Sequence, residues 1–148
     1  MDIKFEVKRF DELSIAELYK ILRLRAEIFV VEQDCVYQDM DNKDQKALHV
    51  IGNKNGEIIT YTRIFDGGDY FETSSIGRVL VAKKERKYGY GHDLIKQSIS
   101  AIETYFKTKK IKISAQTHLQ NFYKSHGFIK IGEEYLEDGI PHIVMIKS

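Results

Sequence analysis

Val79-Leu80-Val81-Ala82-Lys83-Lys84-Glu85-Arg86-Lys87-Tyr88-Gly89-Tyr90-Gly91-His92-Asp93-Leu94 passes from an apolar strand-like run, through a basic turn with two glycines, into helical spacing. That order makes an anion site. Glycines let backbone amides approach a ligand, the first-turn amides of a helix lack intrahelical partners, and the helix dipole favours negative charge there. Arg86 and Lys87 add two cations at the mouth. The physics implies a phosphate or pyrophosphate ligand. The competing reading is a loop whose glycines only relieve strain. Neither of two familiar phosphate motifs fits: no Gly-x-x-x-x-Gly-Lys-Ser/Thr run occurs, and Gly-x-Gly-x-x-Gly fails because position 94 is leucine. A P-loop NTPase and a nicotinamide enzyme are therefore disfavoured.

Outward from this stretch, Ile76 to Ala82 reads as a strand buried on both faces. Leu94, Ile95, Ile99, Ile102 and Phe106 form the stripe of an amphipathic helix of roughly 15 residues. Ile111 to Ala115 is a further strand, and Leu119 to Ser125 a short helix stopped by Gly127, a natural left-handed C′ residue. Phe128 to Tyr135 and Ile140 to Ile146 flank Glu137-Asp138-Gly139, whose Asp-Gly pair predicts a closing hairpin. On the N-terminal side, Ile3, Phe5 and Val7 alternate with Lys4, Glu6 and Lys8 as in a half-buried strand. Ser14-Ile15-Ala16-Glu17 is a capping box, and the stripe Leu18, Ile21, Leu22, Arg25 and Phe29 carries its helix to about Val30. Residues 32–46, with Glu32, Asp34, Asp39, Asp41 and Asp44, have no helical period and read as loop with a short turn. Leu48 to Asn53 and Glu57 to Phe65 flank Lys54-Asn55-Gly56, a strong hairpin signal, and Asp66-Gly67-Gly68-Asp69 makes the next turn. The order β-α-β-β-β-α-β-α-β-β predicts a mixed α/β sheet.

Composition narrows the function. With 148 residues, 43% of them hydrophobic, one proline (Pro141) and no low-complexity linker, residues 1–148 read as a single domain. A net charge of +1 gives no overall field toward phosphate backbones or anionic lipid, so neither nucleic acid nor membrane is expected as partner. Cys35 stands alone and forms no internal disulfide, and the five histidines show no metal-ligand spacing with it. The alternating N-terminus lacks the apolar core of a signal peptide, and no run approaches the roughly 20 apolar residues of a spanning helix. A cytoplasmic protein is the expectation.

Arg86-x-x-Gly89-x-Gly91 after Val79-Leu80-Val81 resembles the coenzyme-binding signature of the GNAT superfamily of N-acetyltransferases. Leu119-Gln120-Asn121-Phe122-Tyr123-Lys124-Ser125-His126-Gly127-Phe128 is similar to the second signature of that family. Leu22 through Gln33 and Glu137-Asp138-Gly139-Ile140-Pro141-His142 resemble its ElaA-like subfamily. The four blocks lie across most of the chain in the family's order.

The resemblance implies a GNAT-like α/β fold: a mixed, mostly antiparallel sheet of about seven strands flanked by helices. It implies acetyl-CoA as cosubstrate, with no metal. Leu80 and Val81 would offer backbone hydrogen bonds to pantetheine, and Arg86, Lys87, Tyr88, Gly89, Tyr90, Gly91 and His92 would cradle pyrophosphate, chiefly through their amides. Asn121 matches the position that bonds the pantetheine arm, and Tyr123 the general acid at the thioester sulfur. The departing thiolate would take its proton from Tyr123, while a strand amide such as that of Val81 would hold the developing oxyanion.

The acceptor would be a primary amine of a small molecule or peptide, and its proton needs a base. Glu72, just before the central strand, is the candidate that the resemblance implies, near where some family members keep a basic glutamate; His118, His142 and Glu32 are alternatives. Arg25, Glu32 and His142 are read as bordering the acceptor pocket, with a structural ion pair as the other role for Arg25 and Glu32. The acidic run 32–44 would draw in a cationic amine or serve only as a solvated loop. Leu24-Arg25-x-x-x-Phe29 also resembles acyl-homoserine lactone synthases, which leaves an N-acyl synthase as a second enzymatic reading. A non-catalytic CoA-binding regulatory module is a third. Family members are often dimers, so the resemblance admits a homodimer.

Overall fold

A computed structural model describes residues 2–148; Met1, the first residue of the alternating N-terminal stretch, lies outside them. The alternation of residues 3–8 forms β1 (Ile3–Arg9), which pairs antiparallel with β2 (Leu48–Lys54). Between them runs α1 (Ile15–Arg25), opened by the expected capping box: the Ser14 side chain accepts from the Glu17 amide at 3.0 Å, and the Ser14 amide donates to Glu17 Oε1 at 2.9 Å. The α-helical ladder ends earlier than the apolar stripe predicts. Ala26–Glu32 continues as a π-helical turn, with Gln33 N–H donating to Ile28 O at 3.3 Å. Ile28, Val30 and Val31 are β-branched and weak helix formers, and a π turn of this kind commonly marks a functional site. The acidic loop beyond it is interrupted by a 3₁₀ turn at Asp44–Lys46.

β2 turns into β3 (Glu57–Phe65) through Asn55 and Gly56, both at positive φ (52° and 80°), as the hairpin signal requires. β3 pairs with β4 (Ser74–Val81), which a 3₁₀ turn over Lys83–Tyr88 joins to α2 (Tyr90–Phe106). β5 (Ile111–Gln116), a 3₁₀ turn at Thr117–Leu119, α3 (Gln120–Lys124), β6 (Ile129–Glu137) and β7 (Ile140–Lys147) complete the chain. Gly127 takes φ 91° after α3, and Asp138-Gly139 (50° and 77°) closes the last hairpin.

The seven strands form one sheet in the order β1-β2-β3-β4-β5-β7-β6, antiparallel everywhere except between β4 and β5. Helices cover both faces. α2 lays Leu94, Ile95, Ala101 and Ile102 on the face carrying Leu48, Val50 and Ile64. The stretch from α1 into the π turn lays Ile21 and Ile28 on Ile51 and Tyr61, which face the other way on β2 and β3, and on Leu80 of β4. Full burial on both faces therefore belongs to β2 and β3. In β4, Gly77, Arg78 and Val79 are half-exposed, contrary to the two-sided burial expected for 76–82.

The reason is a bulge. Tyr61 pairs with Leu80 and Arg63 with Gly77, so β4 spends one more residue than β3 over this interval, and Arg78 sits at φ 51°. β4 bends away from β5, and the two pair only at Ser74↔Ile111 and Ser75↔Lys112. Beyond Ser75 a wedge opens in the middle of the sheet. Among the described residues no helix is long and apolar enough to cross a membrane.

Candidate active site

Two cavities fill the wedge and meet at its centre. The larger, of about 480 Å³, lies between the end of β4, the first turn of α2, the π turn and α3. The smaller, of about 130 Å³, lies between the β4 bulge, β5, the acidic loop and the β6–β7 hairpin. Phe29, Gln33, Val79, Gln116, Leu119 and Tyr123 line both.

The larger cavity has an exposed strand edge as one wall. Ala82 N–H donates to Ile59 O of β3 at 2.7 Å, so the Val81 carbonyl of the same peptide unit points the opposite way, where Arg86 Nε donates to it at 3.1 Å. The strand geometry puts the Val81 N–H on that same cleft side. At the far end Gly89 adopts φ 74° and leads into α2; of the first-turn amides, that of His92 already donates to the Gly89 carbonyl at 3.1 Å, which leaves the amides before it for an anion. A Cβ on Gly91 would stand 3.5 Å from Phe122 and 3.7 Å from Val81, so a longer side chain there would protrude into the cleft. Leu80, Val81, Arg86, Gly89, Gly91 and His92 line this cavity, as the motif reading expects.

Lys87, Tyr88 and Tyr90 do not line it. Lys87 and Tyr88 are solvent-exposed, and Tyr90 is buried in a cluster with Ile3, Ile59 and Ala82, so any part they take in anion binding falls to their backbone. Asn121 is a second departure: it is exposed and lines neither cavity, because α3 turns Phe122 and Tyr123 inward and leaves Asn121 on its outer side.

Tyr123 sits where the cavities join. It is 5% exposed, packs edge-on against Phe122 and Phe128, and makes no side-chain hydrogen bond among the described residues. Burial pushes its phenol up, so the hydroxyl keeps its proton through the neutral range.

The other candidates separate. Glu72 is exposed in the turn before β4 and lines neither cavity, because that turn lies at the closed end of the wedge, where Ser74 and Ser75 still pair with β5. Glu32 lines the larger cavity, not the smaller one, and its carboxylate takes both Arg86 Nη atoms at 2.7 and 3.1 Å. His118 also lines the larger cavity, whereas His142 lines the smaller one.

Arg25 belongs to the structural alternative. It is fully buried, lines neither cavity, and donates to Asp39 Oδ2 at 2.9 Å and Asp44 Oδ1 at 2.7 Å. Arg63 binds Asp41 and Asp44, and Arg78 binds Asp39 at 2.7 Å. Three guanidiniums thus consume three carboxylates of the acidic loop, which corrects its reading as a lure for cationic amines. Sequence spacing missed this network because Arg63 and Arg78 come from other strands. It also missed Gln116 and Glu137 as lining residues. The one hint available was their position, at the end of β5 and at the hairpin turn.

The network sets an acid limit on stability. Burial lowers the pKa of His49, whose Nε2 is 3.0 Å from Asp44 O and whose Nδ1 is 2.6 Å from the Tyr61 hydroxyl. Burial opposes ionisation of Asp41 and Asp44, but the neighbouring arginines outweigh it and hold Asp41 at about 2 and Asp44 below its usual value. Wherever the unfolded chain binds more protons than the native one, stability falls as pH falls. The melting temperature should therefore drop in two stages: below about pH 6.5 as His49 takes up its proton in the unfolded state, then more steeply below about pH 4 from the two aspartates. Calorimetric scans from pH 8 to 3 check this, and a flat profile across pH 6.5 to 5 contradicts the His49 contribution.

Residues 17–148 match the family model for the acetyltransferase (GNAT) domain. The chain belongs to the GNAT family. Within GNAT it is most usefully compared with Protein ElaA of Escherichia coli, 42% identical over 99% of this chain and 97% of that one. The crystal structure of Escherichia coli ElaA superposes with a TM-score of 0.92 at 40% identity over 99% of both chains. An acyl-CoA N-acyltransferase from Pseudomonas aeruginosa superposes equally well, with a TM-score of 0.92 at 37% identity over 98% of this chain and 99% of that one. A GNAT family acetyltransferase from Elizabethkingia anophelis with acetyl-CoA bound, at 20% identity and TM-score 0.63 over 98% and 95% of the chains, shares the GNAT fold.

Proposed function

We propose that the protein is an acetyl-CoA-dependent N-acetyltransferase, with acetyl-CoA in the larger cavity and a primary amine entering through the smaller one. The observation that carries this reading is the convergence of three groups on one wedge. They are the unpaired edge of β4, the amide-rich turn from Gly89 into α2, and a buried, unpartnered Tyr123 where the cavities meet. The residues present suit the cosubstrate. The strand edge offers backbone groups to pantetheine as a further strand would, the Gly89–Gly91 turn offers amides to pyrophosphate, and Gly91 keeps the approach free.

The chemistry follows from these positions. The amine nitrogen forms a bond to the thioester carbonyl carbon and the C–S bond breaks. The Val81 N–H stabilises negative charge on the carbonyl oxygen, the kind of donor whose removal costs about 10²–10³-fold in rate. Tyr123 gives its proton to the departing thiolate and regains one from solvent. Arg86 has a double role: tied to Glu32 and the Val81 carbonyl in this structure, it lies where it would exchange the Glu32 carboxylate for a phosphate oxygen.

The test is release of free CoA from acetyl-CoA across a broad panel of primary amines, with product mass as confirmation. Transfer to none of them, with CoA still bound, would favour the regulatory-module reading. A long-chain acyl donor outcompeting acetyl-CoA would move the assignment to an N-acyl synthase. Gly91→Glu provides a separate check on the anion site. A carboxylate in the first turn favours the helix dipole, so the fold should hold, yet it repels a diphosphate. CoA affinity measured by calorimetry should fall at least about tenfold, or about 1.4 kcal/mol. Unchanged affinity would remove the turn from the binding site.

A further inference from the structure

Resting on the acetyltransferase reading of the same wedge, we infer that the His142 imidazole, steered by Glu137, is the base that takes the proton from the acceptor ammonium. His142 lies on β7, paired across the sheet with Gln116 of β5 and Tyr135 of β6, and is 7% exposed. It lines the smaller cavity, while its neighbour Gln116 lines both, so the ring stands one strand from the junction that Tyr123 occupies. An acid at the junction and a base on the acceptor side is the division of labour that amine acylation needs.

The hydrogen bonds fix which nitrogen does the work. His142 Nδ1 is 2.7 Å from the Ile140 carbonyl, and a carbonyl only accepts, so Nδ1 carries a hydrogen. In the neutral ring the lone pair is then on Nε2, which lies 3.5 Å from Glu137 Oε2. That carboxylate is held in turn: Ser114 Oγ donates to Glu137 Oε1 at 3.2 Å and is itself hydrogen-bonded to the Tyr135 hydroxyl. The remaining titratable groups around this cavity leave the carboxylates unopposed. Arg78 of the β4 bulge is neutralised by Asp39, Tyr37 and Tyr70 stay protonated, and the Cys35 thiol donates to the Asp138 carbonyl. Glu137 is the carboxylate recorded beside the ring nitrogen that this step uses.

The proton balance is simple. The ammonium N–H bond breaks toward Nε2, leaving the amine lone pair free to attack and an imidazolium between Ile140 O and Glu137. The imidazolium returns its proton to water after the acetyl group has moved. The other candidates do not face this cavity: Glu72 lines neither, while Glu32 and His118 line the coenzyme side.

The experiment uses the full chain with acetyl-CoA and two acceptors, a simple alkylamine that is an ammonium at neutral pH and an arylamine that is already neutral. His142→Gln should lower alkylamine turnover about 10²-fold and abolish the acidic limb of its pH profile, while arylamine turnover and CoA affinity change little. Glu137→Gln should lower alkylamine turnover by a smaller factor and leave arylamine turnover unchanged. Alkylamine turnover retained with the limb in place, or equal losses on both amines, overturns the proposal. A readout independent of turnover is nitrogen NMR of the His142 ring. An Nδ1–H neutral tautomer supports it, and an Nε2–H tautomer overturns it. A protein that transfers to neither amine but shows the expected tautomer would count against the acetyltransferase reading alone.

Discussion

Tyr123→Phe is expected to lower kcat by about 10²–10⁴-fold while leaving CoA affinity and melting temperature nearly unchanged. The separation of these effects follows from the surroundings of the ring. Its packing against Phe122 and Phe128 uses carbon atoms that phenylalanine keeps, and its hydroxyl bonds no other side chain or backbone group among the described residues. Removing the oxygen therefore breaks no protein hydrogen bond, and the fold loses nothing it had gained from it. What is lost is a proton held ready beside the leaving group. Because burial pushes the phenol up, the group stays an acid across the neutral range, and the tyrosine adds no alkaline limb of its own to the rate until well above neutrality. Stopped-flow release of CoA, with calorimetry for affinity, separates the two quantities. Full turnover in the variant would take Tyr123 out of the mechanism, and a large loss of CoA affinity would make it a binding residue.

How far the site was legible before folding depended on whether its parts were local. The Gly89–Gly91 turn, the capping box at Ser14 and both hairpins are encoded within a few residues of themselves, and the structure has each of them. Tyr123 was found through the short motif around it, although only the fold brings it into one cavity with Val79, and Asn121 in the same motif turns outward. The bulge at Arg78 was missed, since Ile76 to Ala82 reads as strand; Gly77, an isolated glycine within it, was its one local sign. Its consequence, the wedge, comes from β4 pairing with β3 on one side and losing β5 on the other. Glu72 was placed by resemblance to a family position just before the central strand, yet in this chain that position lies at the closed end of the wedge. Glu137 and His142 lie in one quoted block, but their relation to Gln116 requires β7 to insert between β5 and β6, a non-sequential neighbour that no periodicity reveals. The acidic loop was misread for the same reason: its partners Arg63 and Arg78 arrive from β3 and β4.

That loop carries the largest expected loss of stability. Arg25→Met should destabilise the protein by about 3–5 kcal/mol, because a buried charge is removed and its partners stay behind. Arg25 is fully buried, with Nε and Nη1 on Asp39 and Asp44, Nη2 3.3 Å from the Asp39 carbonyl, and its guanidinium 5.8 Å from the Tyr61 ring. Methionine fills much of the volume, so the cost is electrostatic and not a cavity. Three arginines now balance three aspartates; in the variant two arginines face three, and Asp39 and Asp44, which lose their partner, have little access to water. Arg25→Lys keeps the charge but not the planar fork, so it should fall between wild type and Arg25→Met. Removing a carboxylate with the arginine, in Arg25→Met with Asp44→Asn, should recover part of the loss, as balance and not the ion pair itself is what the interior requires. Urea unfolding of the four proteins measures these differences, and a double variant less stable than Arg25→Met would show that geometry outweighs charge balance. The effect should reach the site as well. Asp39 holds Arg25 on one side and Arg78 on the other, and Arg78 is the residue at φ 51° that bends β4 away from β5. Conditions that keep Arg25→Met folded should therefore still show weakened use of the amine, because the wall of the smaller cavity is fixed from behind by an arginine that touches neither reactant.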